Sequence, residues 1–236
     1  MGILDRVSRA PLISFDLPVG DLTLRIQSSD EIQDEARASA IKYSEQVDSY
    51  VARNPNFKTS FVSLPVGQDA PHLVKVMADA SAHMGVGPMV TLPGALVEAV
   101  ATDLSSMTKE VSVFAEGDTY SIGSRPRSFV VEPSKGGSGI AVRVKSKTGY
   151  AFYSSAGRMR VNPSIGKARA VGVLAEHGAL ADAVGSAMGL SMRRPDDVER
   201  ALDVSKGTAG VKGSVIVAGG RIGVWGEIEI ITPVQG

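Results

Sequence analysis

The chain has 236 residues with 25 basic and 25 acidic side chains, so its formal net charge is zero, and it contains no cysteine. The balanced charge provides no overall attraction to nucleic acid or to an acidic membrane surface. Without cysteine the chain forms no disulfide, thiolate zinc site or iron–sulfur cluster. No apolar run approaches the roughly 20 residues of a membrane span. We therefore expect a cytoplasmic protein without a nucleic-acid or membrane partner.

The first part of the chain predicts a β-hairpin followed by a long helix. Apolar and polar residues alternate at 12–17 and 22–26 on either side of a Pro-Val-Gly-Asp break, which is typical of a hairpin. Ser28 and Glu31 have the spacing of a capping box. The helix that they predict extends to Arg53, where an Asn-Pro pair ends it.

Two apolar helices are predicted next. The first has Asp69 as its cap and Pro71 in its first turn, and the second covers about residues 93–105. The second helix is apolar on nearly every side, which predicts that it is buried. The Gly-Val-Gly-Pro turn between them contains Gly87 and Pro88 and could present backbone N–H groups to a ligand. It matches neither Gly-rich nucleotide fingerprint.

The middle of the chain changes to a strand pattern. Predicted strands cover residues 111–115, 119–122, 129–132, 140–144 and 150–154. The turn between the first two, Glu116-Gly117-Asp118, carries two carboxylates. Acidic residues are also common in turns for purely local reasons, so an ordinary turn is the alternative.

The stretch from Gly166 to Leu190 is the most distinctive. Residues 170–175 predict a buried strand, and residues 179–190 predict a helix of small residues that packs closely against another element. Asp182 and Ser186 lie four residues apart, so both can offer oxygen to one hard cation or phosphate. The alternative is that Asp182 complements the start of its own helix and that Ser186 is a small interface residue.

The end of the chain predicts one more helix, 195–206, and a hairpin made of residues 214–218 and 224–231 around Gly219-Gly220. The order of elements is hairpin, helices, strands, helices, hairpin. This order indicates an α+β fold with two similar, intimately joined halves that share a core.

These motifs together carry a family resemblance. The Asp-Leu-Thr-Leu-Arg-Ile hairpin, the Val-Gly-Pro-Met turn at 86–89 and the Gly-Val-Trp-Gly-Glu segment at 223–227 occur in an uncharacterised family related to ApbE, the magnesium-dependent FAD:protein FMN transferases. The chain is identified as a member of that family over nearly its whole length. The resemblance implies an ApbE-like fold, with mixed or antiparallel sheets packed with helices in a single domain over residues 1–236. A homodimer is a further expectation for this class.

The resemblance also implies a site. Residues 181–186, Ala-Asp-Ala-Val-Gly-Ser, resemble the Ala-Asp-Ala-x-x-Thr helix that binds magnesium in the transferases, which makes Asp182 and Ser186 the expected Mg²⁺ ligands. The turn at 116–118 resembles a Gly-Gly-Asp turn and makes Glu116 and Asp118 the expected catalytic carboxylates. The expected contacts to an FAD-like cofactor are Gly87, Pro88, Gly117, Ser154, Ser155, Arg160, Gly166 and Lys167.

One motif of the transferases has no counterpart. Where they have His-x-x-Asp-Pro, residues 158–164 read Arg-Met-Arg-Val-Asn-Pro-Ser. Arg158, Arg160 and Lys167 could instead contact a phosphate or carboxylate of the ligand, or they are ordinary solvated cations of a loop. The histidines, His72, His83 and His177, fall on separate segments without metal-ligand spacing.

Two functions remain open from the sequence. The first is a magnesium-assisted, FMN-transferase-like enzyme that acts on a flavin or nucleotide pyrophosphate. The second is a non-catalytic protein that binds an anionic, phosphate-bearing small molecule, or assembles with a partner, after losing the metal chemistry. The sequence leaves open whether the protein is an enzyme. Convergence of Asp118, Glu116, Asp182 and Ser186 on one cleft would favour the first function.

Overall fold

The structure is a computed structural model that describes residues 11–131, 139–144, 149–156 and 170–234. The strands are β1 (Ile13–Val19), β2 (Leu22–Ser28), β3 (Val111–Ala115), β4 (Asp118–Ile122), β5 (Arg127–Val131), β6 (Gly139–Val144), β7 (Tyr150–Ala156), β8 (Ala170–Ala175), β9 (Val211–Ala218), β10 (Arg221–Gly226) and β11 (Ile228–Val234). The α-helices are α1 (Gln33–Arg53), α2 (Pro55–Thr59), α3 (His72–Met84), α4 (Leu92–Leu104), α5 (Gly178–Ser191) and α6 (Val198–Lys206). Short 3-10 helices cover Pro88–Thr91 and Pro195–Asp197.

The strands form two antiparallel sheets. The large sheet has the order β1-β2-β3-β4-β7-β8-β9-β10, and the small sheet has the order β11-β6-β5. Each half of the large sheet is built as hairpin, helices, hairpin: β1-β2 and β3-β4 enclose α1 to α4 in sequence, and β7-β8 and β9-β10 enclose α5 and α6. The predicted α+β fold with antiparallel sheets and helices is confirmed, and the order of elements agrees with two similar halves.

The large sheet separates two apolar cores because successive side chains of a strand point to opposite faces. On one face, Val113 and Val173 belong to a cluster with helix residues such as Val184. On the other face, Phe152 stacks on Phe129 of the small sheet with ring centroids 4.3 Å apart. The central strand β8 is therefore buried along its whole length.

The helices α4 and α5 cross at backbone contact. A Cβ atom on Gly94 would overlap the carbonyl oxygen of Gly178, and a Cβ atom on Gly178 would overlap the carbonyl oxygen of Gly94. Only glycine permits two helix backbones to approach this closely. The predicted burial of the apolar helix α4 and the predicted close packing of the small-residue helix α5 are confirmed, since most residues of both are buried.

Helix α1 is joined to α4 through one carboxylate. Asp103 Oδ2 accepts hydrogen bonds from Lys42 Nζ at 2.6 Å and from Ser39 Oγ at 2.8 Å, and Oδ1 accepts one from the Tyr43 hydroxyl at 3.0 Å. Burial alone would raise the pKa of Asp103, but these hydrogen bonds and the charge of Lys42 outweigh it and hold the pKa below its ordinary value. The carboxylate therefore stabilises the folded state in its charged form.

Three local predictions are wrong. The capping box fails because Ser28 belongs to β2 and its hydroxyl donates to the carbonyl oxygen of Asp30, while α1 begins after Ile32 without a side-chain cap. Asp69 does not cap α3, whose N-cap is Pro71. The last predicted strand divides at Gly226, where φ is +79° and the chain passes from the large sheet to the small one.

Among the described residues, no single helix has the length and apolar character needed to cross a membrane. Only α3 taken together with the segment Pro88–Leu104 meets those criteria, as a pair bent by 114°.

Replacing Gly94 by alanine tests the helix crossing. We expect Gly94→Ala to lower the free energy of unfolding by about 3 kcal/mol, because two rigid helix backbones must separate to admit one methyl group. Urea denaturation measures the change. Gly207→Ala is the matched control: Gly207 has a φ of −81° and an added Cβ would meet only the Asp203 carbonyl oxygen at 3.4 Å. The control should change stability by less than about 0.5 kcal/mol, and an equally mild effect of Gly94→Ala would contradict the proposed contact.

The Asp103 cluster predicts a pH dependence of stability. Because the pKa of this carboxyl is lower in the folded chain than in the unfolded chain, its contribution is complete above the unfolded value, roughly 3.9, and is lost as pH falls through the folded value. Asp103→Asn should cost about 1 kcal/mol or less at pH 7, since solvent screens a partly exposed carboxylate. The difference from the unsubstituted protein should shrink below pH 4, as measured by denaturation at several pH values. A difference that stays constant with pH would contradict this assignment.

Candidate functional site

Asp182 caps a neighbouring helix and not its own. It lies in the second turn of α5, its side chain is buried, and its Oδ2 accepts a hydrogen bond from the backbone N–H of Gly94 at 3.0 Å. Gly94 is the third residue of α4, so this N–H is one of the first four that have no partner within their helix. The sequence-based alternative that Asp182 complements the start of its own helix is therefore wrong.

Glu98 of α4 caps the N-terminus of α5 in the same way. Its Oε2 accepts a hydrogen bond from the backbone N–H of Gly178 at 2.7 Å, and its Oε1 accepts one from His177 Nδ1 at 2.8 Å. Each of the two helices thus contributes one carboxylate that caps the start of the other. Glu98 was not among the residues predicted for the site. Its only signal in the sequence is a charged residue within the mostly apolar helix α4, where Asp103 is the other.

Asp118 lies on the same side of the large sheet as α5. It pairs with Tyr153 across β4 and β7, so their side chains are neighbours on one face. The ring of Tyr153 packs against Gly185, where a Cβ atom would overlap the ring. Both Asp118 and Tyr153 are buried. The sheet thereby brings a carboxylate and a phenol to the face of α5 that carries Asp182.

Several polar groups influence the hydroxyl of Tyr153, whose side chain lies beside Asp118 across the sheet and against α5 at Gly185. Burial raises the pKa of the Tyr153 hydroxyl strongly, and the negative charges of Asp182 and Asp118 raise it further. Hydrogen bonds with Ser155 and Ser186 act in the opposite direction. Two carboxylates and three hydroxyl groups therefore meet in one buried cluster, which we call the Tyr153 cluster: Asp118, Tyr153, Ser155, Asp182 and Ser186.

Glu116 does not join this cluster, although it is two residues from Asp118. It is exposed, has a φ of +47°, and borders a different cavity of about 560 Å³ together with Asp16 and Arg25. The turn residue that follows, Gly117, has a φ of +108°, and its carbonyl oxygen accepts a hydrogen bond from Ser154 N at 3.0 Å. The tight turn sends the two carboxylates in different directions.

The remaining predicted residues are distributed as follows. Ser154 points to the opposite face from Ser155, with its hydroxyl 3.5 Å from the carbonyl oxygen of Val130 in the small sheet. Gly87 packs against the backbone after α2, where a Cβ atom would overlap the Ser60 carbonyl oxygen. Pro88 is buried at the start of a 3-10 helix. Arg160, Gly166 and Lys167 lie outside the described residues.

The donor atoms of the Tyr153 cluster suit a hard cation. Asp118, Asp182 and Ser186 offer only oxygen, which is the ligand type that Mg²⁺ prefers, and Mg²⁺ is commonly held by one or two carboxylates together with substrate phosphates and water. Within the described residues, no three side chains from His, Cys, Asp and Glu form a group that could hold a metal ion. The residues present therefore fit a magnesium ion that takes part of its ligand set from a phosphate-bearing molecule.

Comparison with solved structures places the fold. The chain superimposes on a variant of the flavin transferase ApbE from Vibrio cholerae with a TM-score of 0.64, covering 92% of this chain and 98% of that one at 14% sequence identity. The apo flavinyl transferase ApbE from Pseudomonas stutzeri gives a TM-score of 0.61 at 13% identity, covering 91% of this chain and 94% of that one. At these identities the likeness shows the fold alone.

Comparison with protein sequences shows the family. The UPF0280 protein of Methanopyrus kandleri is 31% identical over 230 residues, which cover 92% of this chain and 90% of that protein. The UPF0280 protein of Methanosarcina acetivorans is 30% identical over 233 residues, 95% of this chain and 90% of that protein. The family model described as AbpE bacteria matches residues 6–209. The chain therefore belongs to this family of ApbE-like proteins.

Proposed function

We propose that the protein binds a flavin or nucleotide pyrophosphate with magnesium at the Tyr153 cluster and transfers its nucleotidyl group, as an FMN-transferase-like enzyme. The observation that carries the proposal is the convergence of Asp118, Asp182 and Ser186 on one buried phenol. Asp118 and Asp182 are both buried, and both raise the pKa of the Tyr153 hydroxyl through their negative charge. Two such charges repel each other, and a divalent cation beside them would offset that repulsion. The ApbE-like fold supports the same class of ligand.

The roles of the residues follow from their positions. Asp182 and Ser186, one helical turn apart on α5, would hold the magnesium ion, which supplies Lewis-acid polarisation of a phosphate oxygen when bound. Asp182 keeps Oδ2 on the Gly94 N–H, so its orientation is fixed by the helix crossing. Asp118 would accept the proton of the hydroxyl group or water that attacks the phosphate. Ser155 and Ser186 would position the Tyr153 hydroxyl beside the two carboxylates through hydrogen bonds.

The cap on α4 favours a second candidate, a binder of anionic small molecules without metal chemistry. Asp182 has a structural task at Gly94 that requires no cation. The chain also lacks the His-x-x-Asp-Pro segment of the transferases, and residues 158–169 supply arginine and lysine in its place. Cationic side chains could bind a phosphate directly.

Replacing Asp182 by asparagine separates the two candidates. The amide oxygen can still accept the Gly94 N–H, so we expect a loss of about 1 kcal/mol or less in stability. The proposed enzyme should be stabilised by FAD only with magnesium, by about 2.7 kcal/mol at 100 times Kd. In Asp182→Asn this magnesium-dependent stabilisation should disappear.

Thermal unfolding with FAD, FMN and ADP, each with and without magnesium, measures these effects. Asp203→Asn, an exposed carboxylate on α6, is the matched control and should respond like the unsubstituted protein. Unchanged magnesium affinity in Asp182→Asn would exclude Asp182 as a ligand. Stabilisation by FAD without magnesium would favour the anion binder.

Replacing Asp118 by asparagine tests its assignment as the base. We expect the magnesium-dependent cleavage of FAD by water into FMN and AMP to slow by about 100-fold or more, while FAD binds as before. Chromatographic detection of FMN and AMP measures the rate, and calorimetry measures binding. A rate equal to that of Asp203→Asn would contradict the assignment.

A further inference from the structure

A second cleft lies apart from the Tyr153 cluster. It has a volume of about 550 Å³ and opens between α3, the first turn of α5 and the loop after α6. Its apolar walls come from Val76, Ala80, Met84 and Leu180, with Ala209 at the loop. None of the residues of the Tyr153 cluster lines it. The cleft can therefore hold a ligand of its own.

Two imidazole rings line this cleft, and the structure fixes the tautomer of each. His83 Nδ1 lies 2.7 Å from the backbone carbonyl oxygen of Asp79, which can only accept a hydrogen bond. His177 Nδ1 lies 2.8 Å from Glu98 Oε1, which is an acceptor in its carboxylate form. Both rings therefore carry a proton on Nδ1, and in the neutral ring Nε2 is then an acceptor.

The other polar side chains of the cleft are acceptors as well. The Asp79 carboxylate has no donor when it is ionised. The Thr208 hydroxyl donates its proton to the carbonyl oxygen of Val204 at 2.7 Å, which leaves its oxygen as an acceptor. No lysine or arginine is present among the described residues that line the cleft. Its side chains thus form an apolar surface with hydrogen-bond acceptors and one negative charge.

The first turn of α5 also borders the cleft, and a free helix N-terminus would attract an anion. Here Glu98 already places a carboxylate on that terminus through Gly178 N. A metal ion is disfavoured as the occupant, because the mostly apolar walls of the cleft would leave most of an ion's surface without ligands.

We propose that this cleft binds an organic cation: a protonated amine on an apolar or aromatic body. The ammonium group donates hydrogen bonds to the Asp79 carboxylate and to the imidazole Nε2 atoms. The apolar body packs between α3 and α5 against Val76 and Leu180. The free amine and a lysine side chain share this chemistry.

Calorimetric titration with three probes of one shape tests the proposal. At pH 8, where imidazoles are generally neutral and alkylamines charged, 2-phenylethylamine should bind about tenfold more tightly than 2-phenylethanol. 3-Phenylpropionate should not bind measurably. N-acetyl-lysine methyl ester, which keeps the side-chain amine, reports whether a lysine can be the source of the ammonium group.

Variants locate the binding in the cleft. Asp79→Asn should weaken 2-phenylethylamine about fivefold and leave 2-phenylethanol unchanged. Ala209→Trp, which fills the mouth of the cleft from an exposed position, should abolish binding of both without lowering the unfolding temperature. Asp34→Asn, an exposed carboxylate on α1, is the matched control and should bind the amine as the unsubstituted protein does.

The proposal is overturned if the amine and the alcohol bind equally, if the carboxylate binds most tightly, or if Ala209→Trp retains amine binding. It is also overturned if the protein binds Zn²⁺ through His83 and His177 in place of the amine. The proposal is also overturned if no amine binding is detected at about 10 mM, which corresponds to a binding free energy weaker than roughly −3 kcal/mol.

Discussion

The contact between Gly94 and Gly178 is the constraint on which the rest of the helical layer depends. Because no side chain separates the helices there, the start of each lies within reach of a carboxylate from the other, Asp182 and Glu98. The same contact fixes the rotation of α5 about its axis. That rotation places Gly185 on the Tyr153 ring and Ser186 beside its hydroxyl. The geometry of the candidate site is thus a consequence of the helix crossing.

Asp182 has two roles: it caps α4, and it is the proposed magnesium ligand. A carboxylate buried to this extent is costly unless hydrogen bonds or a cation compensate its charge. The Gly94 N–H and the polarity of α4 supply part of that compensation. One oxygen atom is held in a fixed position as a result, so the carboxylate is already oriented before any ligand arrives. Such preorganisation is valuable in a binding site, because orienting a free side chain costs conformational entropy.

Local sequence patterns predicted the elements well and their partners poorly. The strand Ala170–Ala175 and the helix that follows were evident from an apolar run and from small residues, because burial on all sides leaves a signal within one segment. Helical spacing and turn composition made Asp182 and Asp118 candidates with an ordinary structural alternative, and the family resemblance made them the expected site residues. The link from Asp182 to Gly94 spans 88 positions in the chain, and no local rule indicates it.

Residues that are close in the sequence also have side chains that point in different directions, which their spacing in the sequence does not reveal. Glu116 and Asp118 belong to one turn, yet only Asp118 enters the Tyr153 cluster, because the left-handed backbone at Glu116 and Gly117 turns the Glu116 side chain towards a different cavity. Ser154 and Ser155 point to opposite faces of the large sheet, because they are successive residues of one strand. The capping box at Ser28 failed because β2 continues through that residue and pairs it with Val111.

The mutual capping of α4 and α5 by Asp182 and Glu98 has a consequence for folding. Helix α4 comes from the first hairpin–helices–hairpin unit and α5 from the second, so each unit depends on the other to satisfy a helix start. A unit synthesised alone would contain unpaired N–H groups and an uncovered glycine surface. Folding of the two units is therefore expected to be cooperative, with neither behaving as an independent foldon.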